Sequence, residues 1–250
     1  MLHINDFILQ AQQKGASDLH IVCGLPIKCR LDGKMQTLSD TVPTPQDCEV
    51  LAQELAGAQF ETIRESGELD LALTADCGVR VRANIFHAGG ALSFAIRLLN
   101  DVIPEIEDLD LPPIALQLPT YPSGLVLITG ETGSGKSTTL AAVLNRINHT
   151  ACRHIITLED PIEYIYTSDQ CLINQREIGK DTASYADGLR AILREDPDVI
   201  LIGEMRDLTT IEAALTAAET GHLVFATLHT NSAADAVDRI VSVFPDGRQR

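Results

Sequence analysis

Two hundred and fifty residues, 45% hydrophobic and 22% charged, suffice for a folded core and exclude wholesale disorder. The first thirteen residues carry no Lys or Arg, and apolar runs such as residues 125–128 are short, so neither a secretory signal nor a membrane span is expected. Nineteen basic against thirty-five acidic residues give a net charge of −16, and none of the segments 1–100, 101–123 and 124–250 is basic overall, which argues against nucleic acid as the main ligand.

The amino-terminal stretch reads as α+β. A helix is expected over 5–13, stopped by Gly15, and alternating runs at 18–23 and 27–31 read as strands parted by Gly24 and Pro26. Thr44-Pro45-Gln46-Asp47 supplies an N-cap, a proline at the first helical position and an acid at the third, so a helix begins there and runs to Gly57. Strand-like segments follow at 69–74, 79–86 and 91–98, separated by Asp76-Cys77-Gly78 and Gly89-Gly90. The expectation for residues 1–99 is a small domain with an antiparallel sheet and flanking helices.

Residues 100–123 hold Pro104, Pro112, Pro113, Pro119 and Pro122 among the chain's eleven prolines, with five acids and no base. Proline fixes φ and disfavours helix before it, so this stretch is expected to run extended, an interdomain linker with one short turn near 114–118. Beyond it, over 124–250, the rhythm becomes α/β. Apolar strands are expected at 125–129, 154–158, 199–202 and 223–227, and helices at 137–148, 183–194 and 210–219. Thr209-Thr210-Ile211-Glu212 reads as a capping box and Gly221 as a stop. Apolar strands alternating with helices imply a mainly parallel sheet covered on both faces. Cys23, Cys29, Cys48, Cys77, Cys152 and Cys171 form no C-x-x-C pair and are read as small buried hydrophobes.

Gly130-Glu131-Thr132-Gly133-Ser134-Gly135-Lys136-Ser137 fits the phosphate-binding loop G-x-x-x-x-G-K-[ST] completely, between an expected strand and an expected helix. Its glycines let the backbone curl so that N–H groups point at phosphate, and the helix N-terminus adds positive potential. Lys136 is expected on the β- and γ-phosphates and the Ser137 hydroxyl on Mg²⁺, with Gly130, Thr132, Gly133, Ser134, Gly135 and Thr138 completing the nucleotide site. Glu159, Asp160 and Glu163 cluster at the carboxyl end of a core strand, where ligands of parallel sheets bind; an ordinary solvated acidic turn is the competing reading. Residues 196–204 form a second apolar strand ending in Glu204, a candidate general base, or else a capping acid for the next helix. His222 and His229 bracket a third core strand, and His229 is on the phosphate side. Arg80, Arg82 and Arg97 on first-domain strands, and Arg190 and Arg194 on a helix, are candidates to touch transferring phosphate, against ordinary surface pairing.

Gly133-Ser134-Gly135-Lys136-Ser137-Thr138-Thr139, Leu158-Glu159-Asp160-Pro161-Ile162-Glu163-Tyr164, Gln175-Arg176-Glu177, Leu193-Arg194-Glu195-Asp196-Pro197-Asp198 and Thr227-Leu228-His229-Thr230-Asn231 follow one another in order. Together they resemble the Walker A, Asp-box, Walker B and His-box motifs of the ATPases of type II secretion and type IV pili. Within that superfamily the chain resembles the PilT and YggR-like retraction group, through Ala16-Ser17-Asp18-Leu19-His20, Ala95-Ile96-Arg97-Leu98-Leu99 and Val241-Ser242-Val243-Phe244-Pro245. The resemblance implies a PAS-like domain at 1–99, a RecA-like P-loop domain at 124–250, and a cytoplasmic homo-hexamer docked peripherally on an inner-membrane pilus platform protein. It further implies ATP and Mg²⁺ as cofactors, Glu204 as general base, His229 as a phosphate contact, and Glu159 and Glu163 assisting magnesium and water, Glu159 reaching the metal through water. Arg82 and Arg97 become phosphate-contacting arginines. Glu131 departs from the family, which carries an uncharged residue there. The family also continues past the position of Arg250 through a helical region needed for retraction, so the chain is expected to be C-terminally short.

The expected function is therefore an ATP-hydrolysing motor for pilus retraction and twitching motility, or for related protein secretion. A nucleotide-binding interaction module with little turnover, and a pilus or type II secretion assembly ATPase, stand as alternatives.

Overall fold

A computed structural model describes residues 2–99, 102–230 and 232–244, and the chain divides into two units at residues 101 and 102. Asn100 at the start of the expected linker, Asn231 of the His box and Pro245 of the 241–245 stretch lie outside the described residues.

The first unit is organised by short-range signals. Helix α1 (Ile4–Gln13) buries Ile4, Phe7, Ile8 and Ala11, a single stripe at helical spacing. Strands β1 (Asp18–Val22), β2 (Ile27–Leu31) and β3 (Lys34–Ser39) form consecutive antiparallel ribbons; Asp32 and Gly33, both at positive φ, make the tight turn between β2 and β3. Strand β3 escapes sequence reading because it is a polar edge strand in which Leu38 alone is buried. Helix α2 (Pro45–Ala56) opens with a complete Thr44–Asp47 capping box. After a 3₁₀ turn, α3 (Phe60–Ser66) ends at left-handed Gly67 and leads into β4 (Glu68–Thr74), β5 (Arg80–Ala88) and β6 (Ala91–Leu98). The six strands are ordered β3-β2-β1-β6-β5-β4, every pairing antiparallel. One sheet face supplies Leu19, Ile21, Val81, Ile85, Phe94 and Ile96 to a core that also contains Ile8, Cys48 and Leu51 from the helices.

The second unit begins with the proline-rich segment, which is a strap and not an extended linker. It forms 3₁₀ turns at Ile106–Asp108 and Pro113–Thr120. Ile106 and Ala115 are buried in the same cluster as Leu140, Val143, Leu144 and Ile147 of the helix beneath. Proline and a run of acids specify the local backbone, but Ile106, Ala115 and Leu118 give the stretch an apolar face, and burial of that face decides its path. Arg146 beneath it pairs with Glu107 and, at 3.8 Å, with Glu105.

Strand β7 (Gly124–Thr129) leads through the glycine loop into α4 (Lys136–Thr150), followed by β8 (His154–Glu159) and the edge strand β9 (Leu172–Glu177). Then come α5 (Tyr185–Ile192), β10 (Val199–Ile202), α6 (Leu208–Glu219), β11 (Leu223–Leu228) and α7 (Ala233–Val243). The sheet is wholly parallel, ordered β7-β11-β10-β8-β9. Adjacent strand residues point to opposite faces. Ile155, Leu201 and Phe225 pack with α4 and the strap, whereas Ile156, Ile200, Ile202 and Val224 pack with α5 and α6. The second unit is thus the expected doubly covered parallel sheet, and the first the expected antiparallel α+β unit.

Three local expectations are corrected. Helix α6 is capped by Asp207, whose side chain accepts from the Thr210 N–H, and not by Thr209. Helix α5 begins after Ser184, whose hydroxyl accepts from the Asp187 N–H. Of the cysteines, Cys29, Cys48 and Cys171 are buried, but Cys152 is exposed and Cys23 and Cys77 are half-buried.

Candidate active site

The glycine loop is shaped by contacts only glycine permits. A Cβ on Gly130 would lie 2.6 Å from Ser134 Oγ, and Gly133 and Gly135 adopt positive φ. Lys136 folds back to donate to the Gly130 and Glu131 carbonyl oxygens, each at 2.8 Å. Helix α4 starts with no side-chain cap and no acid in its first turn, so its leading N–H groups carry no side-chain anion. Thr132, Gly133, Ser134 and Ser137 are exposed, as is the side chain of Glu131, in contact with solvent that screens its charge. Thr138 is half-buried, its hydroxyl 3.1 Å from that of Tyr164.

Three neighbouring strand tips bring the next groups together, because β7, β11 and β10 are adjacent and parallel. The chain leaves β10 with the Gly203 N–H donating to Leu158 O, and a Cβ there would press on the Tyr185 hydroxyl at 2.9 Å. That fixes the turn carrying Glu204. Its Oε2 lies 2.7 Å from an Arg206 nitrogen and 3.6 Å from His229 Nε2 at the end of β11. The hydrogen bond from Arg206 holds the Glu204 carboxyl below its usual range; partial burial opposes this, and the charges of Arg206, His229 and Lys136 reinforce it. Lys136 and Glu204 therefore act on one another. Glu204, Met205, Arg206, Leu228, His229, Thr230 and Arg239 line a groove of about 440 Å³.

On β8, Glu159 Oε1 accepts from Thr157 Oγ1 at 2.7 Å and from Gln175 Nε2 at 3.2 Å. Burial nevertheless pushes this carboxyl up, opposed by those bonds and by the Glu163 N–H, while the Glu163 charge adds to the rise. The turn bearing exposed Asp160 and Glu163 is stapled from β9. Gln175 donates to Tyr164 O at 2.7 Å and accepts from the Tyr166 N–H, and buried Glu177 accepts from the Ile162 N–H while pairing with Lys180 at 2.5 Å. Sequence reading gave Gln175 and Glu177 no role. The available signal was their spacing of two, which puts both on one face of a strand.

Lys136, Glu204 and His229 are thus brought together, and so are Glu159 and Glu163, all in the second unit. Arg82 and Arg97 belong to the first unit, where they are register partners on β5 and β6. Arg97 donates to Asp18 at 3.1 Å. Arg190 pairs with Asp187 on its own helix at 3.6 Å, an ordinary surface contact. His222 donates from Nδ1 to Ala217 O at 2.9 Å and closes the end of α6, which accounts for it locally. The ion pair of Arg206 with Glu204 emerges only in the folded turn.

The model of the type II/IV secretion system protein family matches residues 1–244. The uncharacterized protein YggR of Escherichia coli (strain K12) is 46% identical over 244 residues, covering 98% of this chain and 74% of its own length. The type IV pilus retractation ATPase PilT of Pseudomonas aeruginosa is 43% identical over 245 residues, covering 98% and 71%. Among solved structures, the pilus retraction motor PilT with bound ADP gives a TM-score of 0.93 at 46% identity, covering 100% of this chain and 73% of that one. The Legionella pneumophila ATPase DotB gives 0.86 at 32% identity, covering 98% and 70%.

Proposed function

Because this chain belongs to the type II/IV secretion system protein family, we propose that it is a magnesium-dependent ATP hydrolase whose turnover drives type IV pilus retraction. One observation carries the reading. At adjoining tips of one parallel sheet, the phosphate-loop lysine and the Glu204 carboxylate share a field, with His229 3.6 Å from that carboxylate.

The chemistry follows from those positions. The N–H groups of the glycine loop and the start of α4 cradle the β- and γ-phosphates, and Lys136 exchanges its carbonyl partners for phosphate oxygen. Glu204 accepts the proton of the attacking water, with its pKa held low enough to stay ionised at neutral pH. His229 donates to the γ-phosphate, and Glu159 and Glu163 orient water from the neighbouring tip. Magnesium fits the available donors. Among the described residues no cluster of three or more His, Cys, Asp or Glu side chains is arranged to hold a metal by itself. The Ser137 hydroxyl with phosphate and water oxygens is the usual donor set of this hard cation, which Ser137 would ligate and Glu159 would assist through water. Magnesium would supply neutralisation of charge developing on the phosphates.

Arg82 and Arg97 of the first unit are assigned to the transferring phosphoryl group, which gains from added guanidinium charge. The assembly is a ring of six in the cytoplasm, working against an inner-membrane platform protein. Support for an oligomeric motor comes from the retraction motors this chain is similar to. The described helices include none long and apolar enough to cross a membrane.

The test is magnesium-dependent phosphate release. Lys136→Ala should abolish turnover together with nucleotide binding. Glu204→Gln should retain binding and lower turnover by roughly 10²–10⁴-fold, the usual contribution of a general base. Wild-type turnover no higher than that of Glu204→Gln, with binding intact, would instead identify a nucleotide-dependent interaction module.

A further inference from the structure

Arg206 stands between two fixed points. Before it, Met205 is buried and its N–H donates to Thr227 O at 3.1 Å; after it, Asp207 caps α6. The backbone at Arg206 is thereby pinned, but its side chain is 71% exposed and meets Glu204, itself 20% exposed, through one nitrogen and one oxygen. A guanidinium has five donors in a planar fork, so this contact engages only part of it. Lys136, His229 and Tyr185 also act on Glu204, from the phosphate loop, β11 and α5. Arg206 is the one of these seated on Glu204's own turn, and it lines the same groove.

A general base paired to a guanidinium is a weaker base, and a carboxylate facing an incoming phosphate is repelled by it. Both problems are solved by one movement. We propose that Arg206 is a positioning residue that exchanges partners, passing from Glu204 to the γ-phosphate of bound ATP and so freeing the base only when a third phosphate is present. The exchange trades one charge-assisted contact for another, which an exposed arm on a pinned backbone makes without refolding the turn. Bound ADP offers no γ-phosphate, so Arg206 stays on Glu204 and the base stays engaged. This inference rests on the hydrolase reading.

Equilibrium titration of the full chain with ADP and with a non-hydrolysable ATP analogue, magnesium present, tests it. In Arg206→Gln the analogue should bind about tenfold more weakly, the scale of one hydrogen bond to a charged group, with ADP affinity unchanged. Retained ADP binding also reports that the variant is folded. In Glu204→Gln the analogue should bind several-fold tighter, and that gain should vanish when Arg206→Gln is added. Equal weakening of both nucleotides in Arg206→Gln, no change in either, or a Glu204→Gln gain that survives in the double variant would each overturn the exchange. Wild-type protein that binds neither nucleotide would overturn the hydrolase reading itself.

Discussion

Glu159 and Glu204 are both acids at strand tips of one sheet, yet their surroundings push them in opposite directions. Glu204 meets Arg206 and is held below its ordinary value of 4.5, whereas burial holds Glu159 above the same value. For an acid raised on folding, the folded chain keeps its proton after the unfolded chain has released it. Its contribution to stability is full below the ordinary value of 4.5 and is lost as pH rises through the folded value. Glu159→Gln keeps an oxygen to accept from Thr157 and Gln175 while removing the buried charge. The variant is therefore expected to melt a few degrees higher than wild type at pH 8 and at the same temperature at pH 4, while losing ATPase activity. Thermal melts at the two pH values check this; a gain of equal size at both would sink the electrostatic explanation.

At the level of elements, two positions separate what local pattern suggests from what the fold uses. The sequence Thr209-Thr210-Ile211-Glu212 has the form of a capping box, but α6 starts two residues earlier on Asp207. Asp207→Ala should cost about 1 kcal/mol, and Thr209→Ala a few tenths at most, in denaturant unfolding. Comparable losses at both would restore the capping box. Ile106 makes a sharper case. A solvated linker would tolerate Ile106→Ala freely, whereas a strap that buries this side chain to 2% exposure in the α4 cluster should lose about 3 kcal/mol. A loss below about 1 kcal/mol would mean the strap is not packed in solution.

For the whole molecule, the question is how turnover becomes movement. The arginines assigned to the transferring phosphate lie on the sheet of the first unit, and the loop, base and histidine lie on the second. The proposed ring of six is the arrangement this division of groups calls for, with closure on nucleotide as a hinge-type change. Light scattering should therefore show hexamer in the presence of ATP analogue and magnesium. A monomer with and without nucleotide would rule out the ring for this chain.

The sequence alone determined the features carried within a few residues: the glycine loop and its flanking strand and helix, the Thr44 cap, the apolar core strands, and the division between an antiparallel and a parallel half. Each is set by local backbone preference or by hydrophobic period, and neither needs knowledge of distant chain. Strands β3 and β9 were not legible because an edge strand buries one side chain or few and loses the period that marks it. The tertiary structure alone decided the order β7-β11-β10-β8-β9, and with it which strand tips adjoin. The pairing of Glu204 with Arg206, the stapling of the Glu163 turn by Gln175 and Glu177, and the burial of the strap also belong to it. These depend on long-range packing partners, and a carboxylate's basicity is set by the charges and solvent around it, which linear spacing does not specify.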